Sequence, residues 1–79
     1  MVITSAQCRM ARAALHLGVR ELAAIAKVSP NTVARLERGE TLLDNTLRTV
    51  REALEAAGVE FISENGGGAG VRLRKKPST

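Results

Sequence analysis

This sequence is poor in the residues that usually carry chemistry. Its 79 residues include one cysteine, one histidine, no tryptophan or tyrosine, and a single phenylalanine, Phe61. A lone cysteine excludes an internal disulfide framework, and with one histidine it leaves too few ligands for a His/Cys metal site. No apolar run approaches the roughly 18 residues that span a bilayer. The opening stretch MVITSAQCRM lacks a basic start and an apolar segment, so no secretory signal is expected. No catalytic constellation is visible either. His16 falls near the end of the predicted first helix and reads as solvated. Cys8 falls on an apolar period and reads as a buried structural thiol. The glycine run at 66–68 follows a predicted strand but opens no helix, so it is not a phosphate loop. The expectation is a cytoplasmic protein that is not an enzyme and takes no metal or cofactor.

Charge of one sign is also scarce over most of the chain. The net charge is +4, but residues 1–70 hold eight bases and eight acids. The excess lies in Arg72, Arg74, Lys75 and Lys76, so the basic balance by itself says little about a nucleic-acid partner.

Small aliphatic residues are plentiful, and they recur at helical spacing. Thr4 followed three residues later by Gln7 has the capping-box spacing, which predicts a helix running to about Leu17 with Cys8, Ala11 and Leu15 on its apolar face. After Gly18 a second helix is predicted over 19–26, with Leu22, Ala23 and Ala26 inward. Lys27-Val28 forms a tight turn, and Ser29-Pro30 opens a third helix, with serine as cap and proline at the first helical position. Val33 and Leu36 face its core, and Gly39 ends it. Residues 40–45 read as a polar loop. A fourth helix is predicted over about 46–57, capped by Asn45 or Asp44, with Leu47, Val50, Leu54 and Ala57 buried. The period then shortens. Residues 59–62 and 71–74 read as strands around a glycine-rich loop, with Val59, Phe61, Val71 and Leu73 as the buried face. The predicted organisation is a helical domain over 1–58, a hairpin over 59–74 whose free edge is a dimer contact, and a disordered basic tail over 75–79.

Residues 19–39, VRELAAIAKVSPNTVARLERG, hold the most specific pattern. Two short helices joined by a sharp turn, the second opening with small polar residues, have the form of a helix-turn-helix. Ala23 allows a steep crossing and Val28 plugs the turn. The outward side of the second helix offers Asn31, Thr32, Arg35 and Arg38, with Lys27 and Ser29 at its approach. Asparagine and arginine can pair bidentately with adenine and guanine in a major groove.

This stretch resembles the Cro/C1-type (XRE) helix-turn-helix family. The likeness rests on Val28-Ser29, Thr32-Val33 and Leu36-Glu37-Arg38-Gly39, with Leu22-Ala23 and Ala26 upstream, and it extends over about residues 6–57. It implies a four- to five-helix, mostly α bundle, here with a short C-terminal β-hairpin, that binds operator double-stranded DNA as a homodimer. It also implies an ion pair between Arg12 on the first helix and Glu37 at the end of the recognition helix. The period agrees, since Arg12 stands one position from the apolar stripe and needs a partner if drawn inward. The end of the chain, VEFI then ENGGGAGVRLRK, is similar to a group of very short rhizobial-type regulators, and that likeness implies a second role. In it the same fold acts as an antiactivator that binds a transcription-activator protein, with Val19, Leu42, Leu43, Phe61 and Ile62 as contact candidates. The chain departs from the family at Gly18 and Val19, where Ser/Thr-Gln is usual, at Lys27, where glycine is usual, and at Pro30, which cannot hydrogen-bond a base.

Overall fold

The computed structural model describes residues 2–74; the predicted basic tail, 75–79, lies outside them. Four helices, α1 (Ser5–Leu15), α2 (Val19–Ala26), α3 (Pro30–Glu37) and α4 (Asp44–Ala57), precede two strands, β1 (Val59–Ile62) and β2 (Gly70–Leu73). The described chain is thus mostly helical, with one small antiparallel sheet.

The first three helices stop in the same way. At each end one residue turns left-handed, and its N–H and that of the residue after it reach back to the last carbonyls. At α1 this residue is His16, with φ 56°, while Leu17 N–H bonds the Arg12 carbonyl. The helix therefore ends at Leu15 and not at Leu17. At α2 it is Lys27, with φ 58°, while Val28 N–H bonds the Ala23 carbonyl. At α3 it is Gly39, with φ 86°, while Glu40 N–H bonds the Arg35 carbonyl. Only the third position carries the residue that adopts this conformation without a Cβ penalty.

The start of α4 differs from expectation. The helix begins at Asp44, its cap position is Leu43, and no side chain caps it. Asp44 instead stands in the first turn, where a carboxylate suits the positive end of the helix. Val50 and Leu54 are fully buried and Leu47 is half-buried, but Ala57 is exposed, because Val59 takes over the core just beyond the helix end.

One core unites the helices and the hairpin. It consists of Cys8, Ala11, Leu22, Ala23, Ala26, Val33, Leu36, Val50, Leu54 and Val59, joined by Ile3 from ahead of α1. In the hairpin Val59 pairs with Leu73 and Phe61 with Val71. The second strand starts and ends one residue earlier than predicted. Leu73 is 59% exposed, so the buried face lacks its fourth member: the last residue of β2 stands past the ground the helices cover. Gln7 ties the sheet to α1. Its carbonyl oxygen accepts the Thr4 N–H in the capping box, and its amide donates to the Ile62 and Gly70 carbonyls, each at 3.0 Å. All its polar atoms are thereby satisfied, which is why a glutamine 1% exposed is tolerated in this core.

Candidate nucleic-acid interface

The helices α2 and α3 are joined by only Lys27, Val28 and Ser29. The side chain of Ser29 caps α3. Its Oγ accepts the Thr32 N–H at 3.1 Å and lies 2.9 Å from Thr32 Oγ1, so both hydroxyls are engaged in the cap. Val33 and Leu36 anchor the inner side of α3 in the core. Helical spacing brings Asn31, Arg35 and Arg38 to the outer side with Thr32 beside them; Asn31 and Arg38 are exposed, Thr32 and Arg35 half-exposed. Lys27 is exposed at the turn before them.

The helix is held from below by Arg12 and Glu37. Arg12 Nε lies 2.7 Å from Glu37 Oε2, and a second guanidinium nitrogen lies 2.8 Å from Oε1, a bidentate pair. The third nitrogen donates to the Leu17 carbonyl at 3.1 Å, so the same side chain also secures the turn after α1. The Cys8 thiol donates to Glu37 Oε2 at 3.3 Å, and Arg9 donates to the Glu37 carbonyl. Burial works against the Glu37 charge, but the bonds from Arg12 and Cys8 outweigh it and hold the carboxyl below its usual range. The Arg12 guanidinium is correspondingly held above its usual value by its bonds to Glu37. Burial first, and the bond to Glu37 second, push the Cys8 thiol up to about 12, which leaves it protonated and unreactive.

The sequence reading missed Glu40. The reversal at Gly39 folds it back onto α3, where Oε1 lies 3.0 Å from Arg35 Nε and Oε2 lies 3.0 and 2.7 Å from two nitrogens of Arg38. Bonds from Arg38 and then Arg35 hold its carboxyl below the usual range. The two arginines of the outer face thus share one counter-charge. The available signal was the acid directly after the Leu36-Glu37-Arg38-Gly39 stop, but its direction depends on the left-handed turn.

A groove of about 440 Å³ runs beside this face, between Val28, Ser29, Thr32 and Arg35 on one side and Thr41, Leu42, Leu43 and Thr46 on the other. Leu43, 77% exposed, is the most open large apolar residue among the described residues. The other contact candidates are less available: Val19, Leu42 and Phe61 pack against the core, and Ile62 is half-buried.

No family model matches the chain, and no curated protein matches it. No helix among the described residues is long and apolar enough to cross a membrane.

Proposed function

We propose that this protein is a small helix-turn-helix regulator of the Cro/C1 (XRE) type that binds operator DNA as a homodimer, with α3 of each copy in the major groove. The observation that carries this reading is the two-sided character of α3. Its inner side is fixed by Val33, Leu36 and the bidentate Arg12–Glu37 pair, and its outer side offers an amide, a hydroxyl and two guanidinium groups. A helix so held presents polar groups at low entropic cost, which suits base and phosphate contacts. In this reading Asn31, Thr32 and Arg35 read bases, while Arg38 and Lys27 face phosphates. Ser29 acts through the cap. Because Glu40 neutralises part of the face, affinity is modest until the arginines leave it for DNA.

A second reading is favoured by Leu43. An exposed leucine at the rim of a groove lined also by Val28 and Leu42 suits a protein partner, such as a transcription activator held off its target. One gel-shift experiment with DNA from around the protein's own gene separates the two. The first reading expects a specific shift that weakens steeply with salt. It also expects Arg35→Ala to reduce affinity by about 1–3 kcal/mol and to relax one base position. A shift unaltered by Arg35→Ala overturns the recognition role. No shift at all, with an activator bound in a Leu43-dependent manner, establishes the second reading instead.

A further inference from the structure

We infer that Asn65 is a site of spontaneous covalent modification, closing on the Gly66 nitrogen to a succinimide that opens to aspartate or isoaspartate, and that the Glu64 carboxylate is the latch that sets its rate. The site lies in the loop between the strands, 63–69, and is independent of the operator reading.

An asparagine carries an electrophilic carbon, Cγ, within closing distance of the next backbone nitrogen, so the attack is intramolecular. The chain has three asparagines. Asn31 and Asn45 lie in α3 and α4, and each precedes a threonine, whose branched Cβ crowds the nitrogen. The Thr32 N–H is also committed to the Ser29 cap, at 3.1 Å. Asn65 is exposed, lies outside both strands and precedes a glycine at φ 99°. A Cβ added to Gly66 would meet no atom within 4 Å, so the space around it is open to solvent.

Two kinds of hydrogen bond prepare and restrain the reaction. The Gly67 N–H donates to Asn65 Oδ1 at 3.4 Å, so a donor already faces the oxygen on which negative charge develops. The Gly66 N–H, whose proton must be lost for the nitrogen to attack, donates to Glu64 Oε2 at 2.9 Å, and the Gly68 N–H donates to the same oxygen at 2.7 Å. Bonds from Gly68 and then Gly66 hold the Glu64 carboxyl below its usual range, so the latch is ionised at neutral pH. Its negative charge opposes deprotonation of the nitrogen it holds, and its two bonds keep the loop from turning that nitrogen onto Cγ.

The reaction needs only water. Hydroxide takes the Gly66 proton, the N–Cγ bond forms, the Cγ–Nδ2 bond breaks, and Nδ2 leaves as ammonia with a proton from water. Water then opens the ring at either carbonyl. One opening leaves aspartate at 65, and the other inserts a methylene into the main chain as isoaspartate. Either adds one negative charge to a segment, 1–70, that is otherwise neutral. The change stays local, because the Gln7 amide bonds the Ile62 and Gly70 carbonyls, each at 3.0 Å, and fixes the chain on both sides of the loop.

Peptide-mapping mass spectrometry of the full chain, aged in neutral buffer, tests this. The wild type is expected to gain, at Asn65 and not at Asn31 or Asn45, the mass difference between an amide and an acid. A methyltransferase specific for isoaspartyl carboxylates should label part of the product, and Asn65→Gln should abolish both signals. Glu64→Ala should react at least about threefold faster, as the loss of one exposed hydrogen bond allows. In guanidinium chloride, where the loop has no structure, Glu64→Ala and wild type should react alike. No conversion at Asn65 in either folded chain, under conditions in which the unfolded chain converts, overturns the site. A folded Glu64→Ala chain that reacts no faster than wild type, or one that is faster to the same degree when unfolded, overturns the latch.

Discussion

Replacing Glu37 tests the mechanical basis of the α3 face. Glu37→Ala removes the acceptor of two charge-assisted bonds from Arg12 and of the Cys8 thiol, and it leaves a half-buried guanidinium with only the Leu17 carbonyl. Losing one partner of a fully buried pair costs about 3–5 kcal/mol. The side chains here are 23% and 10% exposed, so solvent recovers part of that, and about 2–3 kcal/mol is expected. Arg72–Glu60, with side chains 68% and 46% exposed, is the internal control and should be worth less than about 1 kcal/mol. In a domain of this size each kcal/mol shifts Tm by about 4–8 °C, so Glu37→Ala should lower it by roughly 10–20 °C. Urea unfolding of Arg12→Ala, Glu37→Ala and the double variant gives the coupling energy directly. A loss no larger than about 1 kcal/mol, or a coupling equal to that of Arg72 with Glu60, refutes the reasoning.

The pair should also set the acid limb of stability. The folded Glu37 carboxyl titrates below its unfolded value of about 4.3, so its contribution is complete above that value and disappears as pH falls through the folded pKa. Glu37→Gln, which cannot titrate, should flatten this limb in denaturation curves measured from neutral pH downward. Lys27 sits at φ 58° with an exposed side chain, so Lys27→Gly should raise stability by about 0.5–1 kcal/mol, after allowance for the greater freedom of glycine in the unfolded chain. An unchanged or lower Tm would show that the turn is not strained. If α3 meets DNA, Glu40→Gln should tighten binding and steepen the salt dependence by roughly one unit of log–log slope, and fluorescence anisotropy at several salt concentrations reads this out. An unaltered slope would mean that Glu40 does not compete for the arginines. Gln7→Ala removes both amide bonds to the hairpin, and it should speed hydrogen exchange over 59–73 well before the helices are affected.

Much of the architecture was legible because it rests on local rules. The capping box at Thr4 and Gln7, the Ser29-Pro30 start of α3 and the Gly39 stop each involve residues within one turn of each other. The end of α1 was not legible, because His16 carries a Cβ into a left-handed stop, and the turn is held by the bonds between Leu17 and Arg12, whose backbone carbonyl accepts the Leu17 N–H and whose guanidinium donates to the Leu17 carbonyl. The start of α4 was missed for a similar reason: the sequence offers polar caps at 44 and 45, but the chain entering from the groove makes Leu43 the cap. Gln7 was recognised as a capping residue, whereas its second role depends on strands more than 50 residues away.

The sequence by itself determined the helix order, the apolar stripes and the outer face of α3, since helical periodicity and end signals act over a few residues. Only the tertiary structure decided how that face is charged and supported. Glu40 reaches Arg35 and Arg38 through a left-handed turn, Glu37 meets Arg12 and Cys8 from another helix, and Leu73 is left open where the helices end. These outcomes depend on how separate segments pack, and no local pattern encodes the distance between them.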